Sequence, residues 1–469
     1  MTKIADNFSG YLNVEDDVFA YNVSNHAVTL LPAQSERAEQ YQVFRRICSR
    51  NIDSPEYLFG DNHNSRIAML HNGIFGFDLF GLDPSVKFIA PIIIEATGNT
   101  ESFLNMLTQD WDRFHAITFC GGSINALCNP KMAIEEPRMD EYLKKDGARS
   151  VKIRPWSDYT RSVDFEIDGE KVTLTISTIL QAGEEDHTEH MGSYSIGKLD
   201  SFIRLSFENA QSFDEIVKYY KIVKSLTAIL TMQNNVFFEV YLSQKNSDNK
   251  YFKTGVCKIL DHYENYVERT YYNVIHIYDI FEYIPSLIDR IANNDVDTLL
   301  VLLPEDNRKA DRISIKNVQD LCTALEVAYD CRKNNKEKDN LIEELKKNIK
   351  EVIAKFIENH NEFDVYKKTT ISSAFQYLDY TLKQKILTLY NGNCNMIDAI
   401  ISKRSLPQVN EENVASFVKL RNNKTHSGIV EWGDSANLYT AFLALEYTCL
   451  FRYIEMPNEI IKAALLQIF

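Results

Sequence analysis

The stretch "SVDFEIDGEKVTLTIS", residues 162–177, decides how the first half of the chain folds. Val163, Phe165 and Ile167 alternate with Asp164, Glu166 and Asp168. After Asp168-Gly169 the alternation resumes at Val172, Leu174 and Ile176. A period of two lines the apolar side chains along one face of a pleated strand. Asp-Gly tolerates the positive φ that a two-residue hairpin turn demands. The stretch therefore predicts a β-hairpin. Outward from it, "RIAMLHNG", "VKFIAPIIIEA" and "HAITFCG" read as short strands punctuated by Gly and Asn. Segment 211–232 has helical spacing, and "NVFFEVYLS" at 235–243 reads as another strand.

From about residue 315 the period changes. "NVQDLCTALEVAYDCRK" places Val318, Leu321, Cys322, Leu325 and Tyr329 on one helical face. Segment 336–358 repeats the pattern through Leu341, Leu345, Ile349, Val352 and Phe356, with Glu343/Lys347 and Glu351/Lys355 as i,i+4 pairs. Further helices fit 372–390, 395–404, 411–426 and 434–454, and Pro457 ends the last of these before a short amphipathic segment. The fold class is α+β: a β-rich domain over 1–300, with a subdomain break near 200, then an all-α helical bundle over 315–469. The charged stretch "VLLPEDNRKADRIS" at 301–314 reads as the linker.

The 469 residues are 45% hydrophobic and 12% aromatic, which suits a globular protein of two or three domains. No apolar run approaches the roughly 20 residues of a membrane span. The N-terminus is too polar for a secretory signal and too acidic for a transit peptide, so a cytoplasmic location is expected. Eight cysteines are scattered without a C-x-x-C pair, as expected of reduced thiols. The net charge of −15 argues against a surface coated for nucleic acid. Residues 301–469, however, hold 23 Lys and Arg against 23 Asp and Glu, so the whole deficit lies in the first 300. The C-terminal third could accept a polyanion at a local site.

Neither a P-loop, a G-x-G-x-x-G nor a G-x-S-x-G sequence occurs. "EEDHTEHMG" carries His187 and His190, an H-x-x-H in what reads as a surface loop with no third metal ligand in view. Asp295 and Asp297 in "NNDVDTLL" read as a solvated turn before a strand.

"KLRNNKTHSGI", residues 419–429, is the densest polar cluster. Pro407 and Asn410 introduce its helix, with Glu411 and Glu412 where the dipole favours acids. The apolar stripe is Val414, Phe417 and Val418, and at about 100° per residue Arg421 falls within it. A cation there needs an anionic partner or a route to water. Asn422 and His426 are i,i+4 neighbours, and Gly428 stops the helix soon after. The residue types also fit an ordinary helix C-terminus, where Lys and His meet the negative end of the dipole. R-x4-H alone is a loose pattern.

In its setting, late in a small bundle and before the apolar "ANLYTAFLALEYTCLFRYI", the cluster resembles the motif of the HEPN superfamily: an arginine, a polar residue after it, and a histidine separated from the arginine by four to six residues. Here these are Arg421, Asn422 and His426, and Glu326 in "LCTALEVAYD" stands where an earlier HEPN helix commonly carries an acid. The layout of a β-rich domain followed by this bundle is similar to the ApeA family of bacterial anti-phage proteins.

The resemblance implies a metal-independent, cofactor-free endoribonuclease that works as a homodimer or higher even oligomer through its HEPN domain. Its RNA target would be tRNA, cleaved in abortive infection after a phage-derived trigger. Arg421 and His426 would be the catalytic pair and Asn422 their assistant. Glu326 would orient Arg421, and Lys424 and Lys419 would attract phosphate. Some HEPN domains are instead catalytically silent dimerisation or binding modules, and that alternative stays open beside a metal site centred on His187 and His190.

Overall fold

A computed structural model describes residues 4–14, 17–32, 56–62, 65–71, 74–78, 85–96, 111–135, 152–182, 196–246, 248–261, 273–305, 312–334, 340–360, 381–426 and 434–469. The chain divides into two compact units. The first holds 1–227 and 235–271, the second 228–234 and 272–469.

Among the described residues, the first unit is built on one fourteen-stranded sheet. Its strands are β1 (Asn7–Val14), β2 (Asp17–Ser24), β3 (Ala27–Pro32), β4 (Glu56–Asn62), β5 (Ser65–His71), β6 (Ile74–Asp78), β7 (Ser85–Ile89), β8 (Ile92–Ala96) and β9 (Arg113–Cys120). A separate two-stranded ribbon pairs β10 (Ile134–Glu135) with β11 (Lys152–Ile153). The large sheet resumes with β12 (Arg161–Ile167), β13 (Glu170–Ala182), β14 (Ile196–Ser212), β15 (Glu239–Lys245) and β16 (Tyr251–Ile259). Its spatial order is β12-β13-β14-β9-β15-β16-β8-β5-β4-β1-β2-β3-β7-β6.

The hairpin read from residues 162–177 is present. Val163 faces Leu174 and Phe165 faces Val172. Asp168 and Gly169 take φ of 52° and 83°, the left-handed pair of a two-residue turn. Val172, Leu174 and Ile176 are buried, while Asp164 and Glu166 on the edge strand β12 are exposed.

Two other readings change in detail. "VKFIAPIIIEA" forms two strands, because Pro91 has no N–H to donate to a ladder. β7 pairs with β3 and β6, and β8 with β5 and β16. The strand expected over 235–243 starts only at Glu239. Before it, the Phe237 N–H donates to Ser123 Oγ at 3.1 Å and Phe238 packs edge-on against Phe119 at 5.7 Å. Leu12, Phe19, Val28, Ile67, Val86 and Phe88 form the centre of one core cluster. Within it β1 and β4 approach so closely that a Cβ on Gly60 would stand 2.0 Å from the Tyr11 carbonyl oxygen.

Twelve α-helices are described. Three begin in the first unit: α1 (Gly122–Leu127), α2 (Trp156–Tyr159) and α3 (Ile216–Thr231), whose last residues count with the second. The second unit holds α4 (Ile284–Ala292), α5 (Asp297–Leu302), α6 (Ile315–Asn334), α7 (Asn340–Asn359), α8 (Leu382–Asn391), α9 (Cys394–Arg404), α10 (Glu411–His426), α11 (Leu438–Tyr453) and α12 (Asn458–Ile468). The architecture is thus α+β, with an antiparallel sheet first and a helical region after it.

At the start of the stretch read as a linker, Leu302 and Leu303 are buried, and Asn234 donates to the carbonyls of Leu300 and Leu303 at 3.0 Å each. α11 is the central helix, buried on nearly every side. Its Tyr447 hydroxyl donates to the Ile229 carbonyl at 2.9 Å. Of the helix expected over 372–390, residues 372–380 lie outside the described residues, and Leu382–Asn391 is helical behind a Thr381/Gln384 capping box. Among the described residues no helix is long and apolar enough to cross a membrane.

Candidate functional site

Arg421 is set in place by the helix that carries it. Asn410 Oδ1 accepts from the Asn413 N–H at 2.9 Å, which caps α10, and Glu411 and Glu412 occupy the first turn. Val414, Phe417 and Leu420 are buried, and the Phe417 ring meets Phe442 of α11 edge-on at 4.8 Å. This stripe fixes the rotation of α10. Arg421 follows directly on Leu420 and is half-buried, with a third of its side chain exposed.

Helix α6 presents the partner. Val318, Leu321, Cys322 and Leu325 are fully buried, and Glu326 lies one turn beyond Cys322 at the border of that face. Glu326 Oε2 stands 3.9 Å from Arg421 Nη2. That is ion-pair range but longer than a hydrogen bond. Helix α8 adds Lys385, which is only 8% exposed. Its Nζ reaches Glu326 Oε1 at 3.4 Å and Asp330 Oδ1 and Oδ2 at 3.1 and 3.2 Å. It also lies 5.6 Å from the Tyr329 ring centroid. A buried ammonium survives only with such partners. Two cations and two carboxylates on three helices thus form one connected, charge-balanced cluster.

The Cys322 thiol lies beneath it. Burial pushes it up to about 12, Arg421 opposes the rise and Glu326 adds to it. It is a thiol at neutral pH and not a nucleophile.

The sequence-derived site residues divide into two groups. Arg421 and Glu326 are brought together from helices almost a hundred residues apart. α10 continues through His426, about 7.5 Å further along the axis than Arg421. The side chains of Asn422, Lys424 and His426 lie outside the described residues, as does Gly428, and Lys419 is exposed. His187 and His190 also fall outside the described residues. Asp295 lies just before helix α5 and Asp297 is its first residue, where a strand was expected, and Asp295 Oδ2 accepts from Arg290 at 3.2 Å. Among the described residues no group of three His, Cys, Asp or Glu is arranged to hold a metal ion.

Lys385 and Asp330 escaped the sequence reading. Lys385 carried a usable signal: it adjoins Ile386 and stands one turn before Leu389, so it lies on the buried stripe of its own helix.

Comparison with protein-family models, curated proteins and solved structures returned no match.

Proposed function

We propose that the chain is a HEPN-type endoribonuclease, similar in layout to the ApeA anti-phage proteins. The observation that carries this reading is the Glu326–Arg421 ion pair between α6 and α10, with His426 on the last turn of the same helix. A planar guanidinium backed by a carboxylate suits the non-bridging oxygens of a phosphodiester. A histidine is the side chain whose ordinary pKa allows it to remove or return a proton near neutrality.

The reaction is an attack of the RNA 2′-oxygen on its own phosphorus. The 2′-hydroxyl proton passes to a histidine, and the bond to the 5′-oxygen breaks as that oxygen receives a proton. The products are a 2′,3′-cyclic phosphate and a 5′-hydroxyl. One His426 per chain means that a two-fold dimer supplies two, one for each proton transfer. Asn422 positions the histidine or a phosphate oxygen, and Lys424 adds phosphate attraction. DNA lacks the internal nucleophile and resists. The setting is the cytoplasm of a bacterium under phage attack, with tRNA as the target and the acidic β-rich region as sensor or restraint.

The cluster also favours a second reading. Lys385 holds Glu326 and Asp330 and so ties α8 to α6, and the Arg421 pair adds α10, a bracing that a catalytically silent dimerisation module would need. Sequencing RNA ends from phage-infected cells that carry the parent or His426→Ala separates the two. Cyclic-phosphate ends that vanish with the variant support the nuclease. Ends or phage protection equal to the parent's leave only the silent module.

A further inference from the structure

Away from the Arg421 cluster, the second unit contains a cavity of about 520 Å³. That is the size of a small-molecule site. Its walls include Val296, Leu299, Val327, Ala328 and Leu450, so most of its surface is apolar. Two of its polar groups are buried. Glu446, on the central helix α11, is 6% exposed, and its Oε2 has no hydrogen-bond partner. Asn393, just before α9, is 3% exposed, and its Oδ1 has none either, although its Nδ2 donates to the Leu389 carbonyl at 2.7 Å.

Buried oxygens without a donor are rare in folded proteins and cost roughly 1–3 kcal/mol each. Two of them lining one cavity ask for the same complement, a group rich in N–H donors. The surrounding charge selects the sign of that group. Asp297 and Glu446 line the cavity beside Asp295, which is paired with Arg290 at 3.2 Å, and Arg452, whose Nη2 donates to Asn458 Oδ1 at 3.2 Å. The cavity also touches Cys331 and Cys449, which add soft, weakly polar surface.

We propose that this cavity binds a small organic cation, an ammonium or amidinium group on an apolar body, whose N–H groups donate to Glu446 Oε2 and Asn393 Oδ1. The apolar body lies against Val296, Leu299 and Leu450. Burial alone pushes the Glu446 carboxyl up to about 7, so the empty site is partly protonated at neutral pH. A bound cation restores the carboxylate and releases that proton. The proposal is independent of the nuclease reading.

The test is calorimetric titration of the full chain with benzamidine and with tryptamine at pH 7, in phosphate and in Tris. Benzyl alcohol serves as the uncharged control. At least one cation should bind saturably at one site per chain, ten-fold or more tighter than benzyl alcohol. Its heat should differ between the buffers because a proton is released. Glu446→Gln should weaken it at least ten-fold, and Ala328→Phe, which fills the cavity, should abolish it while circular dichroism stays unchanged. No saturable binding by either cation, equal binding of benzyl alcohol, or unchanged affinity in Ala328→Phe overturns the proposal. So does unchanged affinity in a folded Glu446→Gln protein.

Discussion

Arg421 Nη2 lies 3.9 Å from Glu326 Oε2, so a cation late in the chain is held by an acid from an earlier helix of the same unit. If the two serve catalysis, they serve it differently. Arg421 would touch the phosphate, and Glu326 would act only by positioning Arg421. Arg421→Ala and His426→Ala should each lower single-turnover RNA cleavage by about a hundred-fold or more, the usual scale for a lost acid–base or oxyanion group. Rates on a short RNA substrate check this. A substrate with a 2′-deoxy sugar at the cleaved position should not react with the parent, and EDTA should leave the parent rate unchanged.

Glu326→Gln keeps the shape of the side chain but loses its charge. It should lower kcat by about ten-fold with little change in KM, and Glu326→Asp should recover part of the loss. A purely structural Glu326 would instead change stability and leave the kcat of the remaining folded protein alone.

Lys385 is the buried member of the same cluster. Lys385→Met leaves Glu326 and Asp330 facing each other without their shared cation. Both carboxylates are more than a third exposed, which screens the loss to about 1–2 kcal/mol. Denaturant melts of the parent, Lys385→Met and Lys385→Arg measure it, and the arginine variant should fall between the other two.

Glu446 makes stability depend on pH. Its carboxyl is raised from an ordinary value of 4.5 to about 7 by burial. Between those values the folded chain binds more protons than the unfolded one, so stability falls as pH rises through that window. The loss is on the order of 3 kcal/mol once both limits are passed. Glu446→Gln should remove this slope and melt higher than the parent at pH 8. Thermal melts at pH 5, 6, 7 and 8 show whether it does.

In the sheet, Gly60→Ala would drive a methyl group into the Tyr11 carbonyl oxygen, which is backbone and cannot rotate away. Overpacking of this kind costs about 1–3 kcal/mol. A melting temperature equal to the parent's would show that β1 and β4 are not so tightly apposed.

What could be read in advance follows from the range of the interactions. The 162–177 hairpin and helix α10 were legible because their determinants are local: period-two alternation with Asp168-Gly169, and Asn410 with two acids ahead of an apolar stripe. The break at Pro91 was legible in principle, since a residue without an N–H cannot continue a ladder. The order of fourteen strands was not, because pairings such as β14 with β9 and β16 with β8 join distant segments.

Helix α7 shows the limit of pattern reading. Its apolar spacing was correct, yet Leu345, Val352 and Phe356 are exposed. Periodicity says which residues share a face, not what covers it. In the site, the Glu326–Arg421 pairing was expected from the resemblance to the HEPN motif, with Arg421 within an apolar stripe and Glu326 at the border of another. Lys385 sits in a similar stripe, but a lysine on an otherwise amphipathic helix is easily taken for a solvated one.

The exposed acids of β12 bear on how copies of this protein can meet. An edge strand offers unpaired N–H and C=O groups to any other strand. In a two-fold antiparallel pairing along β12, Asp164 and Glu166 of one copy would approach the same acids of the other, a like-charge arrangement that cross-strand pairing penalises. At neutral pH the sheet therefore discourages its own extension into fibrils, and self-association through other surfaces stays open. Replacing both acids with neutral residues would lift that protection, turning a well-behaved edge into a sticky one.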